Sequence, residues 1–80
     1  MQLKLIAYGI AKDILKAKEM PWPVTNDYSI AALKQDLLKS YPTFGSLTKL
    51  SFAVDEEYRD DSYRLKAGDE VVIIPPVSGG

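Results

Sequence analysis

The residues most suited to take part in a reaction follow an apolar run near the end of the sequence. They are Pro75, Pro76, Val77, Ser78, Gly79 and Gly80. Proline fixes φ and cannot donate to a ladder, so we expect the sheet to end at the double proline. The two glycines lack a Cβ atom and fit a channel too narrow for any side chain. The predicted reactive group is the α-carboxylate of Gly80, presented to an active site on another protein. Adenylation by ATP would activate this carboxylate for attack by sulfide, a thiol or an amine.

The remaining composition offers few other groups for covalent chemistry. The chain contains no cysteine and no histidine, which removes thiolate nucleophiles, disulfides, and the commonest general base and metal ligand. A self-contained hydrolase, a zinc site and a Ser-His-Asp relay are therefore disfavoured. Ser62 and Ser78 are not nucleophile candidates, because no base is available to activate them.

Charge and hydropathy disfavour nucleic-acid and membrane partners. Ten Lys and Arg residues face eleven Asp and Glu residues, which gives a net charge of −1 and no excess of basic residues. Lys4 and Lys12 interrupt the N-terminal apolar stretch, and no run approaches the roughly 18 apolar residues of a membrane span. We expect one small cytoplasmic domain with no nucleic-acid or membrane partner.

The N-terminal residues predict a strand followed by a helical turn. Apolar and polar residues alternate over residues 3–8, so the odd and even positions of a strand would lie on opposite faces. Gly9 ends this strand. Residues 10–15 are compatible with a short helical turn that has Ile10 and Ile14 on one side.

The next segment contains two prolines that limit how it can join a sheet. Pro21 and Pro23 flank Trp22, and proline in a sheet is tolerated on edge strands. Residues 16–24 therefore predict an irregular edge strand. Trp22 could be a binding wedge, but we favour the interpretation that it covers one end of a small core.

The strongest helix prediction begins at Ser29, a residue type that caps helix N-termini well. Apolar residues follow at helical spacing, and they are Ile30, Leu33, Leu37 and Leu38. Tyr41-Pro42 ends the helix, since the residue before proline is disfavoured in the helical region.

The C-terminal half predicts a strand, a short strand and a final strand, separated by polar connections. Residues 49–54 alternate as a strand, residues 55–57 form a polar turn, and residues 58–63 form a short connecting stretch. A tight turn at residues 67–69 precedes the continuous apolar run 71–74, which is typical of a central strand buried on both faces.

Together these elements predict an α+β fold in which one main helix packs on one face of a mixed sheet. The first and last strands are both apolar, so both are expected in the middle of the sheet. This arrangement is the ubiquitin-like β-grasp. We expect residues 1–76 to form this domain and residues 77–80 to form a flexible Gly-Gly tail.

The block Leu65–Gly80 resembles the end of the small subunit of molybdopterin synthase. That family ends in a Leu-x-x-Gly-Asp-Glu-Val strand that runs into Pro-Pro-Val-(Ser/Thr)-Gly-Gly. The start of the helix at Ser29 and its end at Tyr41-Pro42 also fit the family, so the resemblance spans essentially the whole chain.

The resemblance implies a sulfur carrier rather than an enzyme. In that family an E1-like enzyme adenylates the terminal glycine, here Gly80, and a sulfur-donating enzyme supplies the sulfur of a thiocarboxylate. The tail then enters the large synthase subunit and donates sulfur toward the dithiolene of molybdopterin. Two small and two large subunits assemble, and the large subunit binds the cyclic pyranopterin monophosphate and supplies the catalytic side chains. No resident cofactor or metal is implied.

Positions that resemble family interface sites predict the partner-binding surface. These are Tyr8, Tyr58 and Ile74, which could share a sheet face. The predicted surface also includes the C-terminal residues Pro75, Pro76, Val77 and Ser78. The chain departs from the family at Asp55, where members often have Asn, and at Lys12-Asp13, where they often have Arg-Glu. Lysine keeps the charge of arginine but loses its bidentate geometry.

Several alternatives remain open at this stage. The chain could carry sulfur for thiamine or tRNA thiolation, act as a ubiquitin-like modifier of lysines, or be a binding module whose tail has no function. The carboxylates between residues 55 and 61 lack the spacing and glycine of an EF-hand loop. A solvated acidic loop that steers basic partners is the favoured interpretation.

Overall fold

A computed structural model of the chain describes residues 1–25, 27–46 and 50–75. The strands are β1 (Gln2–Ala7), β2 (Glu19–Pro23), β3 (Tyr28–Ser29), β4 (Ser51–Val54), β5 (Glu57–Arg59), β6 (Arg64–Leu65) and β7 (Glu70–Ile74). The helices are α1 (Gly9–Leu15), α2 (Ile30–Ser40) and a 3-10 helix (Pro42–Ser46). Within these described ranges, no helix is long and apolar enough to cross a membrane.

The main sheet has five strands in the order β2-β1-β7-β4-β5. The first and last strands of the chain are parallel neighbours at its centre, as predicted, and every other pair in this sheet is antiparallel. A parallel pair needs a long crossover connection, and α2 lies within the one that joins β1 to β7. β2 is an edge strand, which confirms the prediction from the two prolines. β3 and β6 form a separate two-stranded ladder.

Both α-helices pack on one face of the main sheet. The core combines buried residues of α1 and α2 with alternate residues of the central strands, such as Leu5, Val71 and Ile73. Val72 and Ile74 lie on the opposite face and are only half-buried. The prediction that the last strand is buried on both faces is therefore wrong, because only one face is covered by helices.

Helix α2 follows its predicted limits closely. The Ser29 hydroxyl accepts a hydrogen bond of 3.2 Å from a backbone N–H three residues further on, as an N-cap should. Ile30, Leu33 and Leu37 are fully buried, but Leu38 is 43% exposed. The prediction placed Leu38 on the same apolar side of the helix as these three residues. This is wrong for Leu38, which faces away from the sheet.

Helix α1 begins one residue before the predicted turn, at Gly9, and ends with it at Leu15. Ala11 and Leu15 are buried, whereas Ile14 is half-buried and Ile10 is 47% exposed. Ile10 and Ile14 do share a side of the helix, but this side faces away from the centre of the core. Lys16 ends the helix in the left-handed region, with φ 59°.

A two-residue turn joins β4 to β5. Asp55 and Glu56 both have positive φ, 55° and 65°, as a type I′ hairpin turn requires. The polar turn was predicted, but the stretch 58–63 begins within β5 rather than being wholly a connection. Short strands such as β5 carry too few residues to show an alternating pattern.

Glu56→Gly is expected to raise the free energy of unfolding by about 1 kcal/mol. The left-handed conformation costs an L-residue about 1–2 kcal/mol, which exceeds the entropic cost of glycine. Urea denaturation measures the change. The matched control is Glu57→Gly, which removes the same charge from an extended residue of β5 and should lower stability. Equal effects of the two substitutions would contradict the strained turn.

A buried tyrosine connects β3 to α2. The hydroxyl of Tyr28 donates a hydrogen bond to the Asp36 carboxylate, and the Trp22 indole N–H donates to the same hydroxyl at 3.5 Å. Burial, and next the bond to Asp36, raise the pKa of Tyr28 from 10.0 to about 12. Trp22 is half-buried against the core, which confirms its predicted packing role.

The raised pKa of Tyr28 predicts a loss of stability at alkaline pH. Between pH 10 and 12 the unfolded chain loses the phenolic proton first, so the contribution is complete below pH 10 and falls as pH rises toward 12. At neutral pH, Tyr28→Phe should cost about 1.5–3 kcal/mol through the lost hydrogen bond to the Asp36 carboxylate. The difference in unfolding free energy between the native chain and this variant should then shrink above pH 10. A difference that stays constant up to pH 12 would refute the raised pKa.

Candidate functional site

The C-terminal segment leaves the sheet at the end where β1 also ends. Ile74, the last residue of β7, pairs with Ser51. Pro75 then packs against the turn after β1, since a Cβ on Gly9 would lie 4.0 Å from its Cγ. Gly9 has φ +56°, a conformation that favours glycine. Pro75 is therefore the root of the tail and lies beside the start of α1.

The predicted reactive residues follow this root. Pro76, Val77, Ser78, Gly79 and Gly80 lie outside the described residues. Their roles, and the division into a domain over 1–76 and a tail over 77–80, stay predictions.

The sheet face opposite the helices, here called the outer face, carries a row of apolar side chains. Residues paired across neighbouring strands point to the same face. Val72 pairs with Ile6 on one side and with Ala53 on the other, and Ala53 pairs with Tyr58. The row Ile6–Val72–Ala53–Tyr58 therefore crosses four strands.

The three predicted interface residues all lie on this outer face. Tyr58 ends the row and is 72% exposed, and Ile74 lies two residues beyond Val72 and is half-buried. Tyr8 keeps the extended conformation of β1, with φ −130° and ψ 160°, so its side chain falls on the same face as Ile6. Tyr8 is 51% exposed. The structure thus brings the three residues to one surface next to the tail root, and their role in binding stays a prediction.

Sequence reasoning did not select the two residues at the centre of this surface, Ile6 and Val72. The signal was present for Ile6, which alternation placed on the polar side of the first strand beside Lys4. An isoleucine among polar residues on a strand indicates a contact surface. Val72 was missed because the apolar run of the last strand was interpreted as buried on both faces.

The two ends of the outer face differ in charge. At the end away from the tail, Asp55, Glu56, Asp69 and Glu70 surround a groove of about 540 Å³ that Val72 also lines. At the tail end, the Lys18 ammonium lies 5.9 Å from the centre of the Tyr8 ring. The end of the outer face away from the tail thus carries these carboxylates together with Lys4, which pairs in register with Glu70 and forms an ion pair of 3.2 Å with Glu19, while the end near Tyr8 carries Lys18.

The carboxylates near residue 60 form a solvated loop, as predicted. Asp60 accepts hydrogen bonds from the Ser62 hydroxyl at 2.6 Å and from the Ser62 amide at 3.0 Å, and these bonds lower its pKa. Asp61 forms an ion pair of 2.6 Å with Lys34. Among the described residues, no three His, Cys, Asp or Glu side chains are placed to hold a metal ion.

The outer face suits protein binding rather than bond making. Its apolar and aromatic side chains can be buried by a partner, which is the composition of protein interfaces. Tyrosine at the edge of such a surface supplies a large apolar area and a polar tip. Chemistry at this site therefore depends on the tail and on groups that a partner supplies.

Comparison with known proteins gives consistent results over the whole chain. A family model described as the ThiS family matches residues 8–80. The molybdopterin synthase sulfur carrier subunit of Chlamydomonas reinhardtii is 31% identical over 83 residues, and the match covers 100% of both chains. The family predicted from the C-terminal block is thus confirmed.

Solved structures agree with the fold. The putative molybdopterin converting factor, subunit 1, from Pyrococcus furiosus has a TM-score of 0.87 at 19% identity, with 96% of this chain and 99% of that chain covered. A chain in the complex of subunits 1 and 2 of the molybdopterin-converting factor from Helicobacter pylori has a TM-score of 0.68 at 25% identity, with 100% of both chains covered. The predicted ubiquitin-like β-grasp is confirmed. Because the family match spans nearly the whole chain and extends to Gly80, this chain belongs to the ThiS family.

Proposed function

We propose that this chain is the sulfur-carrying small subunit of a molybdopterin synthase. An oxygen of the Gly80 carboxylate attacks the α-phosphorus of ATP, and pyrophosphate leaves as the acyl-adenylate forms. A sulfide-level sulfur from a donor enzyme then attacks the carbonyl carbon and AMP leaves, which yields a thiocarboxylate. Transfer of that sulfur to the pterin precursor, with water replacing it on the carbonyl carbon, restores the carboxylate.

The observation that carries this proposal is the extent of the family match. It runs without a break through the strand β7 and the Pro-Pro-Val-Ser segment to Gly80. Relatives that match over their full length are named molybdopterin synthase sulfur carrier subunits. The reactive end of the carrier is therefore included in the similarity.

The composition supports a carrier that is not itself a catalyst. The chain has no cysteine on which to hold sulfur and no histidine to act as a base near neutral pH. A sulfur carrier of this composition must hold its sulfur at the carboxyl terminus. The adenylating groups, the sulfur donor and the groups that act on the pterin then come from partners, which we expect in the cytoplasm.

The length of the tail favours the outer face as the docking surface for these partners. Five residues follow Pro75, and an extended chain spans at most about 3.5 Å per residue, so the Gly80 carboxylate lies within about 17 Å of Pro75. A partner active site must approach at least this closely. The exposed apolar surface formed by Tyr8, Ile74 and Tyr58 begins beside that root and can be buried in the same contact.

Each expected partner must bring its active site close to Pro75. The partners are an E1-like adenylating enzyme, a sulfur-donating enzyme and the large synthase subunit, the last in an assembly of two small and two large subunits. The H. pylori relative was solved as a complex of subunits 1 and 2, which supports a direct contact between small and large subunits. Because the partners need the same tail, they must bind one at a time.

The chemistry at Gly80 can be tested by intact-mass measurement. Incubation with the adenylating enzyme, ATP and a sulfide source should add the mass difference of one sulfur replacing one oxygen, located at Gly80. Deletion of Gly80, or addition of one alanine after it, should abolish the gain while leaving thermal unfolding unchanged.

Two results would contradict this chemistry. A chain with the added alanine that still gains sulfur would show that sulfur transfer does not require a glycine terminus. Lysine-linked adducts in place of a thiocarboxylate would instead indicate a ubiquitin-like modifier. A further result bears on the sulfur acceptor rather than on Gly80. Transfer of sulfur to thiamine or tRNA precursors, but not to the pterin precursor, would indicate that the chain is one of the alternative sulfur carriers.

Tyr58→Ala is expected to weaken binding to the large subunit at least about tenfold, which corresponds to about 1.4 kcal/mol. Tyr58 is largely exposed, so the folded domain should be little affected. The matched control is Leu38→Ala, which truncates an exposed apolar residue on α2, on the helical side of the sheet. Titration calorimetry with the large subunit compares the two variants. Equal affinities of the Tyr58 and Leu38 variants would exclude the outer face as the docking surface.

A further inference from the structure

The main sheet has two open edges, β2 and β5. Unpaired backbone amides and carbonyls on an edge strand form a template for another strand, either from a second copy or from a different protein. A residue on an edge strand directs its amide and carbonyl either toward its neighbour or toward the open side, and the two directions alternate along the strand.

The hydrogen bonds between β1 and β2 establish which residues of β2 face the open side. Lys18 accepts from the Ala7 amide at 2.8 Å, and the Val24 amide donates to Met1 at 2.8 Å. Residues 18, 20, 22 and 24 therefore bond to β1. The residues whose amide positions face the open side are Glu19, Pro21 and Pro23.

Both prolines of β2 thus stand where an amide would face the open edge. Proline has no N–H, so Glu19 is the one residue of β2 that can donate to an added strand. Trp22, between the prolines, keeps its amide for β1. The prolines leave the bonding to β1 intact and remove donors from the open side alone.

We propose that Pro21 and Pro23 prevent this edge of the sheet from pairing with the same edge of a second copy. If two copies pair through β2, each copy offers one amide donor instead of three. β2 retains its outward carbonyls, but an identical edge cannot supply the donors that they would need. The prolines therefore act against edge-to-edge self-association of the carrier.

The opposite edge is limited by length rather than by proline. β5 has three residues. Because a two-residue turn joins β4 to β5, Val54 and Glu57 form a hydrogen-bonded pair. The next residue, Tyr58, therefore directs its amide to the open side, and it is the one residue of β5 that does so. Each edge of the sheet thus presents a single amide donor.

The test restores the missing donors. The double variant P21T/P23T adds two outward amides on polar, β-branched residues that favour strands. We expect its mass in sedimentation equilibrium to rise with concentration from 8.9 kDa toward twice that value, while the native chain stays at 8.9 kDa. The matched control is P42T, which replaces an exposed proline of the 3-10 helix outside the sheet.

Each outcome decides the proposal. Concentration-dependent dimers of P21T/P23T alone support it. A folded double variant that stays monomeric up to millimolar concentration overturns it, as does equal association of P42T. Far-ultraviolet circular dichroism and Trp22 fluorescence report whether the variants fold. If the double variant unfolds, P21T and P23T, each with one added donor, are measured singly against the same criteria.

Discussion

The parallel pairing of β1 with β7 is the constraint on which the rest of the structure depends. It places the first strand beside the last, with Ile6 opposite Val72 and Ala7 opposite Ile73. The pair begins with the Lys4 amide donating to Asp69 at 3.0 Å. Because parallel strands end at the same edge, the turn after β1 and the root of the tail must lie together. The position from which the tail leaves is therefore a consequence of strand direction.

The same pairing determines what surrounds the tail. Helices cover one face of the sheet only, so alternate residues of β1 and β7 enter the core and the others remain on the outer face. Ile6 and Val72 are half-buried there without any helix to cover them. A domain of this size can cover one sheet face with its two helices and must leave the other to solvent or to a partner. In a carrier, the uncovered face is the one that borders the reactive end.

Most of the fold could be predicted from local signals, and the errors have one physical origin. The cap at Ser29 and the prolines of β2 act through backbone geometry, which the local sequence determines. Leu38 was grouped with the buried apolar residues of α2, and Val72 was assigned to a strand buried on both faces, yet both side chains face away from the core. Which apolar residue is buried depends on where the other layer lies. The sequence predicted a helix on one face of the sheet, but the continuous apolar run of the last strand did not show which of its residues face that helix. For the site, resemblance to family positions selected Tyr8, Tyr58 and Ile74, whose role in binding stays a prediction. That Val72 lies between them on the outer face follows only from the register of the sheet.

The β2 edge and the tail together bear on how this domain contacts other proteins. A second copy that paired through its own β2 would meet one amide donor per strand, so we expect this edge to contribute little to self-association. The chemistry that we propose at Gly80, five residues after Pro75, requires a partner active site to approach closely at the end where β1 and β7 finish. The outer face suits such an approach, since its apolar row adjoins the tail root and needs no backbone pairing. Recognition through side chains also permits several unrelated partners to use one surface, because the interface does not require each of them to supply a strand.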